Sequence, residues 1–141
     1  MRVLLDTNVL VDVLQRREPM FSYGSEIFLA VAAKRLEGLI TAKQAADIHF
    51  FARKQFKGQE NVDEKARGVV GRLFSLFTLV DTLGTDCQNA LHIQNNDYED
   101  AILIAGALRL GVDCIVTRDA RHFKSVLLPV YPPDDFVRRF L

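Results

Sequence analysis

Short apolar runs alternate along this chain with longer stretches in which apolar positions recur every three or four residues, the pattern of strands feeding helices. Val3 to Leu5 is the first run; it ends in Asp-Thr-Asn, and Val9, Leu10, Val13 and Leu14 then fall on one helical face. Beyond Arg16-Arg17-Glu18-Pro19, residues 20 to 37 carry Phe21, Ile27, Phe28, Val31, Ala32 and Leu36 at helical spacing, with Gly38 as the glycine that closes the helix. Gly38 to Thr41 makes a second strand. Thr41 can cap the next helix, which sets Ala45, Ile48, Ala52 and Phe56 on one face and Lys43, Asp47 and Lys54 on another, and ends near Lys57-Gly58.

Gly58 to Asn61 is the one candidate linker, too short to separate domains. A helix over 61 to 77 follows, apolar at Val69, Val70, Leu73, Phe74 and Phe77; then come a third strand at Leu79-Val80 and a short helix from Asp86 to Gln94. The helix Tyr98 to Leu110 is patterned through Ala101, Ile104, Ala105 and Leu108 and closed by Gly111. Cys114 to Thr117 reads as a buried strand, Val130-Tyr131 as an edge strand, and Pro133-Asp134 as the start of a terminal helix. This order predicts an α/β sandwich with a mostly parallel sheet. With 141 residues, 49% of them hydrophobic, the chain can bury one core, and we expect residues 1–141 to form a single domain.

Charge narrows the function only a little. Lys+Arg and Asp+Glu are equal at 18 each, so no global basic field holds nucleic acid, and such a partner must be gripped by a local patch. Cys87 and Cys114 lack metal-type spacing, and Cys114, set in an apolar run, reads as a small buried hydrophobe, which suits a reducing interior. The chain starts directly on its first strand, and no stretch approaches membrane-spanning length, so a soluble, cytoplasmic protein is expected.

The chemistry lies in four aspartates far apart in sequence. Asp6 and Asp119 follow strands, where open parallel sheets bind their ligands; Asp47 and Asp100 sit on helices that leave the same sheet edge. Each also has an ordinary structural use: Asp6 as a helix cap, Asp47 as the i,i+4 partner of Lys43, Asp97 and Asp100 as acids at the positive end of a helix, Asp119 as the start of a turn. Taken together they predict a cluster of like charges that invites a cation, and an all-carboxylate set suits a hard one such as Mg²⁺. Asn8 is placed to orient Asp6 by hydrogen bonding.

The segments Leu4-Leu5-Asp6-Thr7-Asn8-Val9-Leu10, Thr41 with an acid six residues on, Asp97-Tyr98-Glu99-Asp100-Ala101, and Val116-Thr117-Arg118-Asp119 followed by His122-Phe123 together resemble the PIN-domain family, in the manner of VapC-type toxin ribonucleases. The resemblance spans the chain in order, and the opening and the Thr-Arg-Asp segment are its most specific parts. It implies a three-layer α/β/α sandwich with a short, mostly parallel central sheet, an acidic pocket for Mg²⁺ or Mn²⁺, and endonucleolytic cleavage of RNA. By position, Asp6, Asp100 and Asp119 match the metal-binding acids and Thr117 the hydroxyl residue beside the pocket. Asp47 stands where toxin-type members usually carry glutamate, and Asp97 is an additional acid near the pocket. The resemblance further implies a homodimer and, for toxin-type members, a small antitoxin partner.

In this reading Asp6, Asp47, Asp100 and Asp119 form the catalytic set. Arg118, Arg121, His122 and Lys124 are expected to hold flanking phosphates, and Arg53, Lys54 and Lys57 offer another basic strip. His49, His92 and His122 lack the spacing of a zinc helix, and no G-x-S-x-G elbow appears. A haloacid-dehalogenase-like phosphatase needs Asp-x-Asp after the first strand, where this chain has Asn8. The rival from another class is a binding module that kept the fold without catalysis.

Overall fold

The computed structural model describes residues 1–123 and 127–141. Five strands form one sheet: β1 (Arg2–Leu5), β2 (Glu37–Thr41), β3 (Thr78–Val80), β4 (Cys114–Val116) and β5 (Val130–Tyr131), in the order β3-β2-β1-β4-β5, and every pairing is parallel. Around it lie α1 (Thr7–Leu14), α2 (Met20–Ala32), α3 (Ala42–Gln55), α4 (Val62–Leu76), α5 (Gly84–Ala90), α6 (Tyr98–Leu110) and α7 (Pro133–Phe140).

Strand alternation divides the core into two. Val3, Leu5, Ile40, Cys114 and Val116 turn to the face covered by α1, α2, α3, α4 and α7, while Leu4, Leu39 and Ile115 turn to the face covered by α6. Helix α5 lies on α6 through Ala90, Ala101 and Ala105, so the fold is a three-layer α/β/α sandwich. Cys114 is fully buried, and burial together with Asp113 pushes its thiol up to about 12, which leaves it a packing residue.

The element boundaries differ most from the sequence pattern at α2 and α5. Helix α2 ends at Ala32, well before Gly38, because Lys34 takes the left-handed position with φ 58. The N–H groups of Lys34 and Arg35 then donate to the carbonyls of Val31 and Ala30, each at 2.9 Å, a paired C-terminal cap that usually employs glycine. Gly38 instead lies inside β2 and makes room: a Cβ there would fall 2.6 Å from Phe77 Cδ1 and 2.8 Å from Val31 Cγ2. Helix α5 begins at Gly84, two residues before the expected start, because the Asp86 carboxylate reaches back to accept the Leu83 N–H at 2.9 Å, and it ends at Ala90, four residues before the expected Gln94.

The strand order positions the site. From β1 the chain builds outward through β2 to β3, then returns to place β4 on the other side of β1. The connections therefore diverge at the carboxyl ends of β1 and β4 and leave a crevice there. The Asp6 N–H donates to Val116 O at 2.9 Å and stitches the two strand ends together at that point.

Candidate active site

Asp6 caps α1 from the end of β1, with Oδ1 accepting the Thr7 N–H at 2.7 Å. Its Oδ2 accepts from the hydroxyl of Thr117, which leaves β4 fully buried, at 2.7 Å. Asn8, in the first turn of α1, sits between the two strand ends: its Nδ2 lies 3.2 Å from Asp6 Oδ2, 3.2 Å from Thr117 Oγ1 and 3.3 Å from Asp119 Oδ2. Its Oδ1 accepts the Arg118 N–H at 3.1 Å, and the Asp119 N–H donates to Thr117 Oγ1 at 3.2 Å. One amide and one hydroxyl thus tie two carboxylates from opposite sides of the switch point.

Asp97 and Asp100 reach the same crevice from α6. Asp97 caps the helix, accepting the N–H groups of Glu99 and Asp100 at 2.9 and 3.2 Å. These acids, with Asp6, Asp47 and Asp119, line one cavity of about 890 Å³. Burial raises the Asp6 carboxyl above 3.8, against the lowering hydrogen bonds of Thr117 and Thr7 and with the further push of Asp119 and Asp97. Asp100 is pushed up to about 7, by burial first and then by the charges of Asp6, Asp97, Asp119 and Glu99. Acids from β1, β4 and α6 therefore sense one another across the cavity.

Asp47 lines the same cavity with its carboxylate engaged by Lys43, whose Nζ lies 2.7 Å from Asp47 Oδ2 and 3.1 Å from Glu99 Oε2. Burial works against the Lys43 charge, but its hydrogen bonds to Asp47 and Glu99 prevail and raise its pKa. The i,i+4 pair expected on α3 is thus present and extends across to α6. Of the expected phosphate-holding residues, Arg121 and His122 line the cavity; Arg118 lines it too, with its guanidinium bound to Asp12 at 2.9 and 3.1 Å; Lys124 lies outside the described residues.

Sequence reading missed Asp12, Lys43 as a bridge, and Glu99. Asp12 is 1% exposed and pairs with Arg118 at 2.9 Å and Arg17 at 3.9 Å, which anchors the loop carrying Asp119 to α1. The available signal was an acid set among Val9, Leu10, Val11 and Val13, since a carboxylate in an apolar helix needs a cation.

Among the described residues no group of three or more His, Cys, Asp or Glu side chains is gathered tightly enough to hold an ion as it stands. The donor chemistry nonetheless fits a hard divalent cation: the converging groups are carboxylates, and their mutual repulsion is the charge such an ion would offset.

A parallel α/β/α fold with an acid-lined crevice at its switch point defines a restricted class of protein, and comparison with known sequences gives the family. The PIN domain profile matches residues 2–121, and the chain belongs to that family. No curated protein matches it in sequence. Its fold is similar to that in VapBC2 from Rickettsia felis bound to a DNA fragment from the promoter, at 17% identity and TM-score 0.66, covering 92% of this chain and 97% of the other. It is similar also to FitAB bound to an IR36 DNA fragment, at 16% identity and TM-score 0.68, covering 93% and 94%. VapBC-1 from nontypeable Haemophilus influenzae is similar at 14% identity and TM-score 0.65, covering 95% and 99%. Among the described residues no helix is long and apolar enough to cross a membrane.

Proposed function

We propose that this chain is a divalent-metal-dependent endoribonuclease that hydrolyses RNA phosphodiester bonds, acting as the toxin of a toxin–antitoxin pair. The observation that carries the reading is the convergence of Asp6, Asp47, Asp97, Asp100 and Asp119 on one cavity, where burial and the neighbouring acids push the Asp100 carboxyl up to about 7. Mg²⁺ or Mn²⁺ would be held by Asp6, Asp100 and Asp119, with Asp47 completing the pocket. Such an ion, when bound, lowers the pKa of a water and offsets charge developing on phosphorus.

The chain's own residues prepare that chemistry. Thr117 and the Thr7 N–H fix both oxygens of Asp6, and Asn8 holds Asp119 in register with it. Asp97 fixes the first turn of α6 and adds negative charge beside Asp6 and Asp100. Arg121, in the cavity lining, and Lys124 would supply cations for flanking phosphates, His122 a ring nitrogen, and Arg118, braced by Asp12, its exposed remainder. Similarity of fold to the chains of VapBC and FitAB assemblies supports an antitoxin partner, and a homodimer accompanies the reading.

The test is cleavage of structured RNAs by the purified chain with Mg²⁺, with and without EDTA, beside Asp6→Asn. We expect EDTA to stop cleavage and the variant to lose about a hundredfold or more in rate. Equal cleavage by both proteins removes the site assignment. A specific observation favours a second reading, an RNA- or protein-binding module without catalysis: Asp47 is tied to Lys43, and the acids do not close into a ligand set. Silence of the wild-type chain across diverse RNAs supports that module.

A further inference from the structure

An acid-lined cavity repels the polyanion it is proposed to cut, so a substrate strand needs a cationic grip close by. The chain as a whole supplies none, its charges summing to zero. Several nearby cations are already spoken for: Arg118 by Asp12, Lys43 by Asp47 and Glu99, and Arg53 by Asp63 at 3.4 Å. Lys54 and Lys57, among the described residues, belong to no ion pair within 4.0 Å.

These two lysines line a second cavity of about 340 Å³ with Phe50, Arg53, Gly58 and Val62. Phe50 lines the acidic cavity as well, so the two adjoin at that side chain. Residues 43, 47, 50 and 54 recur at helical spacing and form one stripe on α3, running about 16 Å from Lys43 to Lys54 at 1.5 Å per residue, and Lys57 follows in the turn beyond the helix. Phe50 is 54% exposed, an unusual state for a phenylalanine that packing alone would bury. Its ring meets Phe51 edge-on, with centroids 5.6 Å apart, and carries the Lys54 ammonium at 4.4 Å. An exposed aromatic ring with unpaired ammonium groups beside it is the combination that binds single-stranded nucleic acid: bases stack on the ring and phosphates meet the cations.

We infer that the groove formed by Phe50, Lys54 and Lys57 is a subsite for single-stranded RNA, which leads the strand along α3 into the acidic cavity. The inference rests on the reading of RNA as substrate and deepens it by assigning the strand's path.

The experiment separates binding from chemistry. Fluorescence anisotropy of a labelled oligouridine of about a dozen nucleotides is measured in EDTA for wild type, Phe50→Ala, Phe50→Trp and Lys54→Ala/Lys57→Ala. We expect Phe50→Ala to weaken binding about tenfold, because stacking is lost, and Phe50→Trp to retain it. The lysine pair should also weaken binding and lower the slope of log K against log salt by about 1.4, whereas Phe50→Ala leaves that slope unchanged. Wild-type affinity in all variants, or no binding by wild type, overturns the subsite. Unchanged RNA binding with loss of a co-purifying protein partner assigns the groove to that partner and overturns it equally. With Mg²⁺ added, groove-dependent binding without cleavage leaves the subsite standing and removes the nuclease reading; cleavage with groove-independent binding does the reverse.

Discussion

Replacing Asp100 with asparagine should stabilise the metal-free protein by an amount that depends on pH. Burial, and then the charges of Asp6, Asp97, Asp119 and Glu99, raise its carboxyl from 3.8 to about 7. The folded state therefore holds this proton more tightly than the unfolded chain does. The group favours folding in acid, and that contribution is lost as pH climbs from 3.8 through about 7. At about 1.4 kcal/mol per pH unit the interval corresponds to ~4 kcal/mol near pH 8, which solvent screening of a part-exposed carboxylate reduces to about 2. Asparagine keeps the side-chain shape and removes the charge. It also removes an acid from the first turn of α6, which returns about 0.5 kcal/mol. The net gain of about 1.5 kcal/mol corresponds to roughly 5 °C in Tm for a domain of this size. Thermal unfolding followed by circular dichroism, in EDTA, should show that rise near pH 8 and roughly half of it or less near pH 5. Millimolar Mg²⁺ should raise the wild-type Tm by offsetting the same repulsion, and raise the variant's less. An Asp100→Asn protein no more stable than wild type near pH 8, or with the same gain at both pH values, refutes the crowding argument.

Two further substitutions test the scaffold. Gly38→Ala sets a methyl 2.6 Å from the ring of Phe77, itself 3% exposed and packed edge-on against Phe28 at 4.8 Å, so we expect a loss of about 1–3 kcal/mol in urea denaturation; an unchanged midpoint shows that the core yields there. Arg118→Ala leaves the buried Asp12 carboxylate with only Arg17, at 3.9 Å, and should cost about 2 kcal/mol near neutral pH. Adding Asp12→Asn should recover most of that loss, and a double variant as unstable as the single one argues against the ion pair as the cause.

The sheet and most helices were legible because the forces that set them are local. Short apolar runs located the five strands and apolar spacing of three to four the helices, and Gly111, with φ 61, ends α6 where a glycine was expected to end it. Gly38 misled because one residue type serves two needs. A glycine before a strand reads as a helix stop, yet here the missing Cβ admits Phe77, from 39 residues further on, and that contact has no local signature. Lys34 in the left-handed position hid the true stop, since the capping hydrogen bonds can hold a non-glycine residue there.

The acids show the same division between near and far. Asp6 and Asp119 were legible because strand ends in a parallel sheet face one edge, and a strand order that reverses beside β1 brings the two ends into contact through Asn8 and Thr117. Asp47 shares the ammonium of Lys43 with Glu99, fifty-two positions away. Sequence offered the i,i+4 half of that arrangement and could not offer the other half. The bridge ties α3 to α6 across the crevice with charges that the cavity would otherwise hold apart. The lysine offsets one of the two charges that Asp47 and Glu99 bring to the cavity, on the side that adjoins the groove of Phe50 and Lys54. Charge along α3 therefore passes from a paired acid to unpaired cations with distance from the acids, the order of charge that the proposed RNA path requires.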